Sequence, residues 1–170
     1  MWLTSKEIKS IDNYSSLIGR LMLISQKYEF TCKEMIKWLE LISKLEGEEL
    51  EFLSKEYLNY VDKLNGLLLG KSIKTLHRNQ KLFNISDEQI SILNNGRTSR
   101  NWIVHQSGKN LIFKSELLKE DYINFRKHVI NLGRADFMVS KWSYEFHEKE
   151  PYNYIGEDNY TRMLLEWVFN

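Results

Sequence analysis

Side chains suited to acid–base and phosphate chemistry are concentrated in residues 97–105, which read RTSRNWIVH. Histidine gains and loses a proton more readily near neutral pH than other side chains, so His105 could act as a general base or acid. Arg100 carries a fixed fork of donors that matches the oxygens of a phosphate group. Asn101, one turn before His105, could orient the imidazole or the phosphate. These residue types predict a site that handles a phosphate.

If this segment is helical, its side chains divide between two opposite faces, at about 100° per residue. The face expected to pack against the protein carries Ile92, Gly96, Ser99 and Ile103, whose small members let another helix approach closely. The opposite face carries a polar ridge formed by Arg97, Asn101 and His105. Arg100 lies about 140° from His105 around the axis, so a straight helix would not bring the two into direct contact within one chain.

The start of this helix has strong local signals. Ser86 and Gln89 have the spacing of a capping box, and Ile85 and Ile90 occupy the two hydrophobic staple positions around it. Gly108 follows the helix at a position suited to a left-handed cap. The sequence therefore places the site residues in the last turns of a well-capped helix.

Two longer helices are predicted by apolar stripes with alternating steps of four and three. The first stripe consists of Leu17, Leu21, Ile24, Tyr28, Thr31, Met35, Trp38, Ile42 and Leu45. The second consists of Leu118, Tyr122, Phe125, Val129, Leu132, Ala135, Val139, Trp142 and Phe146. They predict helices over roughly residues 15–46, with Gly47 as a stop, and 115–147. Near-heptad stripes of this kind favour packing at a shallow angle, as in helical bundles.

Shorter elements complete the predicted fold. A helix ended by Gly66 is indicated by Leu50, Leu53, Tyr57, Val61 and Leu64, and a short one by Leu69, Ile73 and Leu76. After Pro151, a loop over Tyr152–Gly156 leads to a final helix over Tyr160–Phe169. No alternating strand pattern or internal repeat interrupts these elements. The chain is predicted to be all-α, a helical bundle forming one domain over residues 1–170.

Composition narrows the classes of protein further. The chain has 170 residues, 42% of them hydrophobic and 28% charged, which is typical of a globular protein. A net charge of +1 argues against binding RNA or DNA through bulk charge, but leaves room for a local basic site. The single cysteine, Cys32, suits a reducing compartment and is expected to pack in the core. The sequence contains no apolar run long enough for a membrane span and no recognisable signal peptide, so a soluble cytoplasmic protein is expected.

The segment Arg100-Asn101-Trp102-Ile103-Val104-His105 resembles the motif of HEPN-domain ribonucleases. In that family an Arg is followed after four to six residues by a His, usually with a polar residue directly after the Arg, the place Asn101 takes here. The lead-in is also similar: a Leu-Gly turn and short helix over residues 69–76, then an Ile-Ser-Asp-Glu helix start at residues 85–88. The resemblance is sharpest over residues 67–108.

The resemblance implies a helical endoribonuclease that cleaves RNA through the RNA's own 2′-hydroxyl, without a metal ion or other cofactor. Arg100, His105 and Asn101 would be catalytic, and Arg97 would bind RNA. Members generally act as homodimers with facing motifs, which here would pair the motif-bearing helices. A toxin or phage-defence role, with an antitoxin or regulatory partner, is also implied. One toxin subgroup has a Tyr two residues after the His, where this chain has Ser107, so tyrosine-directed AMP modification is not expected.

The motif residues, the function and the tyrosine-rich loop each have an alternative interpretation. Arg100 and His105 could be a solvated arginine and a histidine favoured by the helix end. Some HEPN domains lack activity, so the chain could be a non-catalytic dimerisation or interaction module. His77 and Arg78 are expected to cap their helix. The tyrosines of residues 152–154 could stack on bases, although an ordered loop covering the bundle is favoured.

Overall fold

The fold is all-α, as predicted, in a computed structural model that describes residues 5–108 and 118–170, with side chains from residue 14 onward. No residue in these two ranges lies in a strand. The described helices are α1 (Ser5–Glu46), α2 (Lys55–Asn65), α3 (Leu69–Arg78), α4 (Asp87–His105), α5 (Lys119–Glu148) and α6 (Glu157–Phe169). Within the described residues, no helix is both long and apolar enough to cross a membrane.

The two longest helices are α1 and α5, and their stripes supply much of the core. α1 ends at Glu46, directly before the predicted stop at Gly47, but begins ten residues before the predicted start. α5 ends at Glu148, and the predicted start at residues 115–117 lies outside the described residues. The stripe residues between positions 21 and 28 and between positions 125 and 139 are buried, whereas Thr31 is half-buried and Trp38 and Tyr122 are exposed. The stripes therefore locate the core correctly and overrun it at its edges.

The predicted start of α4 is confirmed in detail. The Gln89 backbone N–H donates to Ser86 Oγ over 3.2 Å, and the Ser86 N–H donates to Gln89 Oε1 over 2.9 Å. Ile85 and Ile90 are both buried in the main core. The left-handed cap predicted at Gly108 is wrong, because no described glycine has a positive φ. The helix ends instead with the Gln106 and Ser107 N–H groups sharing the Trp102 carbonyl.

The second helix begins later than its apolar pattern predicted. Ser54 caps α2 by accepting a hydrogen bond from the Tyr57 N–H over 3.1 Å. Leu53 lies just before the cap in a left-handed conformation with φ 62°, and Leu50 lies further back in a turn. Including both leucines in the helix was wrong, because the serine cap fixes the start and the exposed Leu53 belongs to the turn.

α4 packs very closely against α1 and α5. A Cβ added at Gly96 would lie 2.4 Å from Ala135 Cβ and 2.9 Å from Tyr28 Cζ, so only glycine fits there. The Tyr28 hydroxyl donates to the Leu93 carbonyl over 2.7 Å, and burial raises the pKa of this phenol. These contacts fix the height and rotation of α4, and with them the direction of its polar side chains.

The final helix, α6, packs against α5 and α1 and contacts a buried carboxylate. Asp136 of α5 is fully buried, forms an ion pair with Lys27 Nζ over 2.6 Å and accepts a hydrogen bond from the Tyr160 hydroxyl. The loop before α6 packs Tyr152 between Phe137 and Tyr144, while Tyr154 stays exposed. The loop is therefore ordered over the bundle, and α6 begins at Glu157, three residues before the predicted start.

Candidate functional site

Every site residue predicted from the sequence lines one cleft between α1, α3 and α4. The cleft has a volume of about 470 Å³. Its lining consists of Glu29 from α1, residues 68–71 at the start of α3, and Arg97, Arg100, Asn101 and His105 from α4. We call it the motif cleft. The structure thus brings Arg100 to the same concave surface as the polar ridge of α4, although Arg100 lies on a different side of the helix from that ridge.

Arg100 reaches the motif cleft with its guanidinium already partnered. One terminal nitrogen forms an ion pair with the Glu29 carboxylate, and the other donates to Asn101 Oδ1 over 3.2 Å. Nε is buried and has no hydrogen-bond partner. The side chain is 23% exposed, so it lines the motif cleft and is neither freely solvated nor part of the core. Its contacts hold it between α1 and α4, with one donor nitrogen still unused.

Arg97 lies across the first turn of α3, where a glycine makes room for it. A Cβ added at Gly70 would come within 2.9 Å of Arg97 Nη1 and 3.4 Å of Cδ. Arg97 Nε is buried without a hydrogen-bond partner, as in Arg100. The Leu-Gly pair that carried the resemblance in the lead-in therefore has a physical role here, because it lets an arginine from α4 lie against α3.

Asn101 and His105 are exposed on the last two turns of α4, one turn apart, as the ridge predicted. The start of α3 forms the opposite wall of the motif cleft, and its N-cap residue Leu68 offers no side-chain cap. Backbone N–H groups at a helix N-terminus favour anions, so this wall adds to the positive character of the arginines. The imidazole, an amide and two guanidinium groups, one of them paired with the Glu29 carboxylate, therefore surround a space that suits an anionic ligand.

The face of α4 opposite the motif cleft packs through an aromatic contact that no sequence pattern predicted. The Trp102 and His128 rings stack with centroids 4.2 Å apart, and His128 Nδ1 lies 3.1 Å from Ser99 Oγ. Burial, with a smaller contribution from Lys127, lowers the pKa of His128. A neutral His128 keeps the stack and the serine contact, which fix the face of α4 opposite the motif cleft.

Glu29 also lines the motif cleft, although no sequence pattern predicts it as a site residue. It lies on α1, one position after the buried Tyr28, and its partner Arg100 is on α4. The apolar stripe predicted the face of α1 that packs, but not which helix would lie beside it. A lone glutamate flanking a stripe is common, so no spacing pattern distinguishes this one.

Other candidate side chains lie elsewhere. Cys32 is fully buried, as expected, and burial raises the pKa of its thiol to about 12. Among the described residues, no three His, Cys, Asp or Glu side chains are grouped so that they could hold a metal ion. Comparison of the chain with protein-family models, with curated proteins and with solved structures finds no match.

Proposed function

We propose that this protein is a metal-independent endoribonuclease of the HEPN type, acting through the motif cleft. The observation that carries the proposal is the gathering of Arg97, Arg100, Asn101 and His105 around one cleft. Its volume of about 470 Å³ accommodates a phosphate with its flanking sugars. The Arg-x4-His spacing, with Asn101 in the polar position, independently supports the same assignment.

The reaction would proceed by attack of the RNA 2′-oxygen on the adjacent phosphorus. The bond from phosphorus to the 5′-oxygen breaks, leaving a 2′,3′-cyclic phosphate and a 5′-hydroxyl. His105 takes the 2′-hydroxyl proton or supplies the proton that the 5′-oxygen needs. Arg100 stabilises the negative charge that builds up on the non-bridging oxygens, and Asn101 orients the phosphate or the imidazole. Arg97 holds the substrate's backbone.

A homodimer is part of this proposal. The two proton transfers need two groups, and the motif cleft of one chain contains a single histidine. Arg100 directs its donors to Glu29 and Asn101 rather than to His105. A second copy, related by a twofold axis at the exposed end of α4, would bring a second set of the same groups to one phosphate.

The test is cleavage of total RNA by purified protein in EDTA. His105→Ala and Arg100→Ala should each slow cleavage by about 10²-fold or more, because each removes a group that acts in the transition state. His147→Ala and Arg126→Ala, both exposed on α5, are the matched controls and should cleave normally. Products should carry 2′,3′-cyclic phosphate ends. Dependence on added metal, or full activity of His105→Ala, would refute the mechanism.

A biological role as a toxin or phage-defence effector follows from the proposed activity, with an antitoxin or regulatory protein as its partner. Strong expression of the parent should then arrest growth, whereas the Arg100→Ala, His105→Ala double variant should be tolerated. Equal tolerance of both would remove the toxin role even if RNA cleavage is observed in vitro.

The second candidate function is a non-catalytic module that dimerises or docks on a partner protein. Two observations favour it: the net charge is only +1, and Arg100 is already paired with a carboxylate. RNA affinity depends heavily on phosphate contacts, which a nearly neutral chain supplies only locally. An intact protein that dimerises but cleaves no RNA would support this function over the first.

A further inference from the structure

A second, smaller cleft lies on the other side of Arg97, between α3 and α4. It has a volume of about 230 Å³ and is lined by Gly70, Ile73, Lys74, His77, Asn94 and Arg97. Gly70 and Arg97 also line the motif cleft, so the two clefts are neighbours that share a wall. We call the second one the α3/α4 groove.

The α3/α4 groove is lined by basic and neutral residues, without a carboxylate. Lys74 and His77 are exposed at its rim, and the buried Ile73 forms part of its floor. The whole of α3 carries Lys71, Lys74, His77 and Arg78 with no acidic residue. A chain of net charge +1 therefore concentrates positive charge along one helix that borders both clefts.

The position of these cations argues against simple helix capping. Positive charge is favoured at the C-terminal end of a helix, which accounts for His77 and Arg78. Lys71 lies in the first turn of α3, where the same effect is unfavourable, and Lys74 lies in the middle. Lys71 and Lys74 therefore line the clefts at positions where the helix dipole does not favour a positive charge.

We propose that the α3/α4 groove is a phosphate-binding subsite that holds single-stranded RNA beside the phosphate in the motif cleft, with Lys74 as its principal contact and Arg97 shared between the two clefts. The substrate class rests on the proposed function. A cleft of about 230 Å³ has room for one sugar–phosphate backbone. A single strand can bend to enter this cleft and the neighbouring motif cleft together, whereas a rigid A-form duplex cannot. Arg97 lines both clefts, and its Nε is buried without a hydrogen-bond partner.

The experiment measures binding of a labelled single-stranded RNA of about ten nucleotides by fluorescence anisotropy, in a His105→Ala background that prevents cleavage. Lys74→Ala should weaken binding about threefold to tenfold at about 50 mM salt, and should lower the slope of log K against log salt by about 0.7. Lys74→Arg should restore both values. Lys63→Ala, exposed on α2 outside both clefts, is the matched control and should bind like the parent.

The possible results distinguish three claims: the subsite, its ligand and the endoribonuclease activity. Equal binding by Lys74→Ala and Lys63→Ala would overturn the subsite, and equal affinity for duplex RNA or for single-stranded DNA would overturn the ligand assignment. If binding depends on Lys74 but the parent protein cleaves no RNA, the result would count against the endoribonuclease and support the subsite. Cleavage that requires His105, together with Lys74-independent binding, would remove the subsite alone.

Discussion

At the scale of single residues, the central contact is the ion pair between Arg100 and Glu29. It occupies the guanidinium that the proposed reaction needs, and it does so with a carboxylate from another helix. A phosphate entering the motif cleft must compete with this carboxylate for the same donors. Glu29 therefore holds Arg100 in place while the cleft is empty and opposes an anionic ligand when it fills.

We expect Glu29→Gln to tighten RNA binding. The amide keeps a hydrogen-bond acceptor for Arg100 but removes a negative charge from the motif cleft, which should lower Kd by about threefold to tenfold. Anisotropy in the His105→Ala background measures the change. Glu34→Gln, on the same helix and paired with Lys37, is the control and should leave Kd unaltered. Weaker binding by Glu29→Gln would mean that the carboxylate is needed to orient the arginine.

His128 should make the stability of the fold sensitive to mildly acidic pH. Its pKa is lowered from 6.5 in the folded protein, first by burial and then by Lys127. Between the lowered value and 6.5 the unfolded chain binds a proton that the folded chain does not, so stability is lost as pH falls through this window.

Urea unfolding at about pH 7.5 and about pH 5.5 measures this effect. The loss of stability on acidification should be smaller in His128→Gln, which keeps a polar partner for Ser99 but cannot titrate. An identical loss in the two proteins would mean that His128 is protonated equally in both states.

At the scale of elements, the sequence predicted what depends on local chemistry. The capping box at Ser86 and the end of α1 before Gly47 follow from contacts within a few residues, and both are found. The predicted start of α2 is wrong because the apolar pattern included Leu53, which precedes the Ser54 cap. The predicted end of α4 is wrong because the N–H groups of Gln106 and Ser107 cap the helix before Gly108 is reached. The prediction of the α4 ridge held for Asn101 and His105, whereas the pairing of Arg100 depended on a neighbouring helix.

Two of the helical glycines, Gly96 and Gly19, should respond to alanine in opposite directions. Gly96→Ala places a methyl group against Ala135 and Tyr28 and should cost about 1–3 kcal/mol of unfolding free energy. Gly19 on α1 has nothing within 4 Å of an added Cβ, so Gly19→Ala should gain about 0.5–1 kcal/mol from helix propensity. Urea denaturation measures both. A Gly96→Ala variant as stable as the parent would contradict the close approach of α4 to α1 and α5, and a destabilised Gly19→Ala variant would contradict the open space beside Gly19.

At the scale of the whole molecule, sequence periodicity predicted a bundle but not the order in which its helices pack. That order puts α1 beside both α3 and α4, and so completes the motif cleft with a residue from the first helix. Local patterns do not encode such pairings, because many arrangements bury the same stripes equally well. The segment proposed to carry the chemistry was recognisable from its residue types and spacing, while the cleft around it was not.

We expect the protein to form a homodimer through the exposed end of α4. Light scattering at micromolar concentration should return close to twice the chain mass of 20.4 kDa. A crosslink introduced by Asn101→Cys should join two copies under oxidising conditions, whereas Lys55→Cys, exposed on α2, should not. A monomeric mass, or crosslinking through Lys55→Cys alone, would count against a dimer with facing motifs.

Because of its contact with Arg97, Gly70 should respond differently to selection for protein abundance and to selection for activity on RNA. An added methyl at Gly70 meets only the end of a long, movable side chain, whereas the one at Gly96 meets packed core. In a saturation-mutagenesis screen for protein abundance, position 70 should therefore tolerate alanine and position 96 should not. In a screen for RNA-dependent activity both positions should be intolerant, because alanine at 70 moves the Arg97 charge away from the wall shared by the two clefts. A gap between the two screens at position 70 would identify a glycine retained for ligand binding rather than for folding.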